Sequence, residues 1–482
     1  MKTSILTLSL VLIISCSPKQ EVYEDAFCIT NVTTIDAQSG QQDGMTVIVK
    51  DNRIVKVAKA ENFNLAPSNQ IIDGTGKYLI PGLWDAHVHF AYIEELAPSM
   101  FDLFLAYGIT SVRDTGGKLD FVKDWKNRAV AAPKDAPRVM IAGPLLDGSP
   151  NVYDGSDPSR PPLSLGADGV DDAIALVDMF DSVGVDLIKA YEMLTPEQFT
   201  AVTQRAREKG LKVTGHVPLS MDVSSASNAG LNSMEHMRNL EMSCASNWEE
   251  LLEKRKQMLF DGKKEIGGIL RSSIHAAQRS EAVDNYDEET ANNVLAVLAE
   301  NETWQIPTIA LSTGSLNRHF AREDFTESFK YLPTAIAESW MEGASILSEM
   351  TIPESRLKHP KWMMKMIKKV NDAEIDIMAG TDCPIFYLTP GLSLHEELAT
   401  LVKAGLTPMD ALEAATLNPA RYFNMENELG LINEGYLADL VLLDANPLED
   451  INNTKKISMV VKDGKFRSSS DLDQLFQKLA AQ

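Results

Sequence analysis

Apolar and polar positions fall into two regimes along the chain. Near the start, Phe27–Ile35 and Thr46–Lys50 alternate or carry β-branched runs, and Arg53–Val57 resumes the pattern after the turn Lys50-Asp51-Asn52. Near the other end, Ala438–Leu443 and Ile457–Val461 read the same way, the latter running into the hairpin-like turn Asp463-Gly464. Neither group buries a core alone, so the two ends are expected to pair into one small β domain. Between them the pattern alternates strand and helix. Strands are expected at Leu79–Phe90, Ile109–Asp114, Arg138–Ala142, Val185–Tyr191, Leu211–Val217, Leu231–Met237, Trp304–Ile309 and Asp376–Asp382. Helical segments lie between, such as Pro196–Lys209 with Thr195 as its cap and Gly210 as its stop. Eight strand–helix units predict an α/β fold, a (β/α)8 barrel with insertions.

Two connections are long. Gly143–Gly166, rich in Pro, Gly, Asp and Ser, follows the C-terminal end of a strand and should overhang the active face as a lid. Asn239–Thr303 reads as mostly helical, and the pattern alone leaves open whether it caps the site or decorates the rim.

The first barrel strand ends in two histidines one residue apart, His87 and His89, which alternation places on one side. Alone, such a pair suits turn or core histidines as well as a metal. Downstream the same pattern recurs: Lys189 ends the fourth strand, His216 the fifth, His236 the sixth and Asp382 the eighth. The chain has 8 histidines, and four of them sit at strand ends that a barrel gathers on one face. That concentration favours a metal site.

Composition and charge narrow the rest. The 482 residues are 44% hydrophobic, a globular composition, and 68 acidic against 45 basic side chains give a net charge of −23 with no basic run. An acidic surface repels phosphate backbones, so nucleic acid is excluded as a partner. Lys2 precedes a short apolar run, Ile5–Ile14, and Ile13-Ile14-Ser15-Cys16 resembles a bacterial lipobox. That resemblance implies cleavage before Cys16, lipidation of Cys16, and a membrane anchor in the bacterial envelope. An ordinary cleaved signal peptide is the alternative, and either one exports the chain. Cys28, Cys244 and Cys383 are too scattered for a disulfide framework.

Three strings carry a family resemblance: Ile72-Asp73-Gly74 leading to Pro81-Gly82-Leu83-Trp84-Asp85-Ala86-His87-Val88-His89; Ala415-Thr416-Leu417-Asn418-Pro419-Ala420-Arg421; and Gly435-Tyr436-Leu437-Ala438-Asp439-Leu440-Val441. With the strand-end set they resemble the amidohydrolase superfamily, in its imidazolonepropionase-like and prolidase-like branch. The resemblance implies a barrel at 79–429 with a composite β-sandwich from 26–78 and 430–467, while the lipobox reading sets a signal peptide at 1–15 and a tether at 16–25, and a C-terminal helix is expected at 468–482. Position by position, it makes His87, His89 and Asp382 ligands of one divalent metal and His216 and His236 ligands of a second, with Lys189 bridging them. An ammonium group has no lone pair, so Lys189 can serve only as a carbamate formed with CO2. Zinc suits the ligands, as do manganese, iron or cobalt.

The implied chemistry is hydrolysis of a peptide-like amide, in a dipeptide or N-acyl amino acid, by metal-bound hydroxide with Asp382 as general acid and base. The alternatives are a mononuclear cyclic-amide hydrolase or deaminase, an esterase or lactonase, or a non-catalytic surface binding protein. Tyr191 should share a face with Lys189 and contact substrate or pack in the core. Arg113 and Asp114 end the second strand as supports. His395 is expected on a surface helix, and His275, His319 and His359 carry no motif.

Overall fold

Two sheets of different character share the chain, a mixed sheet made from both ends and a parallel barrel between them. The computed structural model describes residues 22–59 and 64–481; the expected signal, lipobox and Cys16 lie outside them. In the mixed sheet the order is Lys465–Ser468, Ile457–Lys462, Leu440–Leu443, Tyr78–Pro81, Phe27–Asp36, Gly40–Lys50 and Arg53–Lys59, with Gln70–Asp73 beside Phe27–Asp36. The seam joining the two ends is antiparallel, Leu440 opposite Pro81 and Val441 opposite Ile80. Val47, Val49 and Ile54 from one end share a core with Leu442, Met459 and Val461 from the other. One continuous eight-stranded sheet therefore curls round its own apolar face. Both ends are needed to close it. Helix Ser469–Leu479 follows, opened by a capping box in which Ser468 and Asp471 satisfy each other's backbone N–H.

The barrel strands are β1 (Leu83–Val88), β2 (Ile109–Asp114), β3 (Arg138–Ile141), β4 (Leu187–Ala190), β5 (Lys212–Gly215), β6 (Ser233–Glu235) and β7 (Trp304–Ile306). All ladders among them are parallel, β3–β2–β1 in one run and β4–β5–β6–β7 in another. The runs meet where Asp186 N–H donates to Ile141 O at 2.8 Å. Every residue of β1, β2 and β4 is buried, as strands covered on both faces must be.

The eighth expected strand, residues 376–382, forms no ladder. Single parallel bridges, Gln305 to Ile377 and Val88 to Cys383, close the barrel instead. The cause is local. Asp382 has φ of 66°, a left-handed conformation that breaks strand pairing, and its N–H donates to His87 O at 2.7 Å. Gly380 permits the approach, since a Cβ there would lie 2.8 Å from the Cβ of His87.

The Gly143–Gly166 connection is ordered by its own short parallel pair, Leu145–Gly148 with Ser164–Ala167. Asp147 fixes it by accepting from the N–H groups of Gly148, Val152 and Met193. The Asn239–Thr303 insertion is helical, with Trp248–Asp261, Gly267–Asp284 and Glu288–Glu300 as its main helices.

Candidate metal centre

The five strand-end groups expected to bind metal, with Lys189, line one cavity of about 170 Å3 at the C-terminal face of the barrel. Among the described residues, His87, His89 and Asp382 form a group whose ligand atoms all lie within 4.8 Å of one another. The Oδ1 atom of Asp382 is 3.1 Å from His87 Nε2 and 2.9 Å from His89 Nε2. His236 faces the same carboxylate, 3.7 Å from Oδ2, and its ring centre is 4.8 Å from those of both His87 and His216.

Each histidine is fixed through its other nitrogen. His87 Nδ1 donates to Glu235 Oε2 at 2.6 Å, His89 Nδ1 to Gly116 O at 2.8 Å, and His216 Nδ1 to Glu192 Oε1 at 2.6 Å. His236 Nδ1 lies 2.6 Å from Thr308 Oγ1, whose own hydrogen is given to Pro307 O, so the threonine accepts. With hydrogen placed at Nδ1 by these partners, each imidazole in its neutral form presents its lone pair at Nε2. Burial pushes His216 and His236 well below the ordinary histidine pKa, which favours the neutral, ligating form. Four oriented lone pairs and an ionised carboxylate fit a divalent metal. For Asp382 burial acts to raise the pKa, but the imidazoles of His87 and His236 outweigh it and hold the carboxyl well below the usual range.

Lys189 is the anomaly in the set. Its side chain is 1% exposed, its Nζ has no hydrogen-bond partner, and its nearest carboxylate oxygen, Glu235 Oε1, is 3.9 Å away. Burial brings its pKa down to about 8. An unpartnered buried amine is costly unless it is modified or ligated.

Backbone conformation aims these groups. β6 ends at Glu235, which points into the barrel, and His236 follows at φ of 59°. That left-handed turn lets two consecutive residues serve the same site. Gly215, just before His216, is equally constrained, since a Cβ there would meet Ala190 O at 2.2 Å.

Several functional residues escaped the sequence reading. Glu235 sits beneath the site, accepting from His87 and from Arg113 Nη2 at 2.7 Å and also bonded by Thr214 Oγ1. Glu192 accepts from His216, from His275 Nε2 at 2.5 Å and from Arg271 Nε at 2.9 Å. His275 thus supports the site through Glu192, although it carries no motif, and its helix shows that the long insertion caps the cavity. His395 is also corrected. It is buried, with Nδ1 2.9 Å from Thr454 Oγ1 and Nε2 3.0 Å from Tyr107 O, so it pins its helix rather than facing solvent. Tyr191 lines the cavity and packs on His216 with ring centres 4.3 Å apart. Asp114 supports from below, accepting from Phe90 and Gly116 N–H. Cys28, Cys244 and Cys383 are free and buried.

Because Glu192 sets the tautomer of His216, Glu192→Gln is expected to weaken metal retention about 10- to 100-fold. Metal titration of the two proteins checks this, and equal affinities would remove Glu192 from the site.

The model of the amidohydrolase family matches residues 78–467, from the seam strand through the end of the mixed sheet. The chain belongs to this family. Amidohydrolases are metal-dependent hydrolases, and the His87–His89–Asp382 cluster is where a metal could sit in this one. Among similar proteins, the ochratoxinase of Aspergillus niger is 24% identical over 445 residues, which cover 80% of this amidohydrolase and 75% of the ochratoxinase. The solved structure of a Xaa-Pro dipeptidase with bound methionine aligns with a TM-score of 0.66 at 20% identity, covering 92% of this chain and 100% of that one. Bottromycin amidohydrolase aligns with a TM-score of 0.69 at 21% identity, covering 95% and 91%. These likenesses establish the barrel with its attached β-rich domain.

Proposed function

We propose that this amidohydrolase cleaves a peptide-like amide in a small substrate, a dipeptide or an N-acyl amino acid. The observation that carries the reading is the coplacement of four Nε2 lone pairs, the Asp382 carboxylate and the unpartnered Lys189 amine around one cavity. His87, His89 and Asp382 would hold one metal and His216 and His236 a second, and such ions supply an acidified water and a Lewis acid for the scissile carbonyl.

Lys189 would bridge them as a carbamate. An amine whose pKa is brought to about 8 is partly neutral at physiological pH, and only the neutral form has the lone pair that attacks CO2. Starting from that neutral amine, the N–C bond would form and one proton would leave the nitrogen, giving an anion with two oxygens. Asp382 then has the proton work. Its carboxylate, held ionised, takes a proton from the attacking water and passes it to the leaving nitrogen. The C–N bond breaks, the water oxygen stays on the acyl carbon, and the amine departs protonated. Tyr191 and Tyr153 line the cavity beside the reacting groups and exclude water from one side.

The names of the relatives support an amide: a Xaa-Pro dipeptidase among the structures and an ochratoxinase among the sequences. A screen of dipeptides and N-acyl amino acids with zinc- and bicarbonate-supplemented enzyme is expected to give turnover on at least one class. Turnover confined to cyclic amides, amino-purines or lactones would contradict the proposal.

A further inference from the structure

The proposed chemistry uses the strand ends but leaves one wall of the cavity unexplained. Arg238 and Arg271 both line it, beside His216 and His236. They come from different places, Arg238 from the turn after β6 and Arg271 from the capping helix Gly267–Asp284. Two permanent cations there share one carboxylate, and that carboxylate is already committed. Glu192 Oε1 accepts from His216 Nδ1 and from Arg271 Nε, and Oε2 accepts from His275 Nε2. Arg238 Nε stands 3.7 Å from Oε1, and it is buried without a hydrogen-bond partner.

Counting outward does not remove the imbalance. The next charges are Arg279, whose Nε donates to Glu241 Oε1 at 3.3 Å, and Arg255, whose Nε is held by Gln278. On this wall four guanidinium groups thus stand against the carboxylates of Glu192 and Glu241, while Asp382, which also lines the cavity, stands among the histidines, in a protein whose net charge is −23. A locally positive wall inside an acidic molecule attracts an anion into the cavity. The paired geometry of guanidinium donors suits a carboxylate.

Resting on the amide-hydrolase reading above, we propose that Arg238 and Arg271 form the subsite for the substrate's free carboxylate. The enzyme would then act as a carboxypeptidase on dipeptide-sized or N-acylated amino acids and reject the same compounds with the carboxylate capped. Leu145, Leu163, Leu311 and Ile385 supply the apolar remainder of the lining, which suits an apolar side chain on the departing residue.

The test has a binding arm and a hydrolysis arm, both on the metal-loaded protein. For binding, calorimetry compares 2-isobutyl-4-oxopentanoate, a non-cleavable analogue of N-acetyl-L-leucine, with its carboxamide. The acid is expected to bind about 10- to 100-fold more tightly, the range for hydrogen bonds to a charged group. Arg238→Met should erase most of that preference and Arg238→Lys should restore part of it, with unfolding midpoints confirming that both variants fold. Equal binding of acid and carboxamide to the wild type would overturn the subsite without reference to any variant. For hydrolysis, N-acetyl-L-leucine is compared with N-acetyl-L-leucinamide, and acetyl release is expected from the acid alone. Equal hydrolysis of both overturns the subsite and leaves the amide-hydrolase reading standing. Selective binding of the acid with hydrolysis of neither supports the subsite while the reading of the reaction falls.

Discussion

Replacing Asp382 with asparagine is expected to lower kcat for the proposed amide hydrolysis by about three to four orders of magnitude, with the folded state retained. Asparagine matches the carboxylate in shape but can neither take a proton from water nor return it to the leaving nitrogen. The site depends on the group being ionised. One Oδ1 atom stands 3.1 Å from His87 and 2.9 Å from His89, while Oδ2 faces His236, so an amide keeps one oxygen but loses the negative charge that all three imidazoles face. Its N–H bond to His87 O is main-chain and survives the change. Steady-state kinetics and an unfolding midpoint measured on the same preparation check both halves of the expectation. A variant within about tenfold of wild-type kcat would remove Asp382 as the proton carrier.

Glu235→Leu is the change expected to damage the fold most, by about 3–5 kcal/mol. Glu235 is fully buried. Burial alone would raise its pKa, but Arg113, Lys189 and His87 outweigh that and hold it well below the carboxylate range. Removing it strands Arg113, which is 0% exposed and keeps only the carbonyl of Ala86 at 2.5 Å as a hydrogen-bond acceptor. The Nδ1–H of His87 also loses its acceptor. Glu235→Gln separates the two roles: an amide has one acceptor oxygen, so it can serve Arg113 or His87 but not both. Denaturant unfolding should place Gln between wild type and Leu, with reduced metal content in both variants. A Leu variant as stable as wild type would mean that the Arg113–Glu235 pair contributes nothing to holding the barrel.

Much of this site was legible because barrel geometry is repetitive. Seven strands were placed by hydrophobic pattern, although the first, expected as Leu79–Phe90, divides at Gly82 into Tyr78–Pro81 of the mixed sheet and Leu83–Val88 of the barrel; a strand end is a fixed address on the active face, so His87, His89, Lys189, His216, His236 and Asp382 could be read together. The eighth strand was misread as regular, because the left-handed backbone of Asp382 that aims its carboxylate also breaks the pairing. Glu235 was hidden by the alternation rule itself. In a regular strand it faces away from His236, and only the φ of 59° at His236 brings both to one side. Glu192, Arg271 and His275 were hidden for another reason. Their contacts join a barrel strand end to an inserted helix about 80 residues later, and no local pattern encodes which helix face turns inward. His395 failed similarly, since its partners Thr454 and Tyr107 come from distant parts of the chain. The strand-end groups announced themselves. Their supports did not.

Whether two metals share the proposed site through Lys189 is decided by the metal content per chain. Protein purified without chelator and with bicarbonate present is compared with Lys189→Ala prepared in the same way. About two metal ions are expected in the wild type, falling to about one or fewer in the variant. About one ion in both proteins would contradict the bridge and leave Lys189 as an unmodified buried amine beside a mononuclear centre.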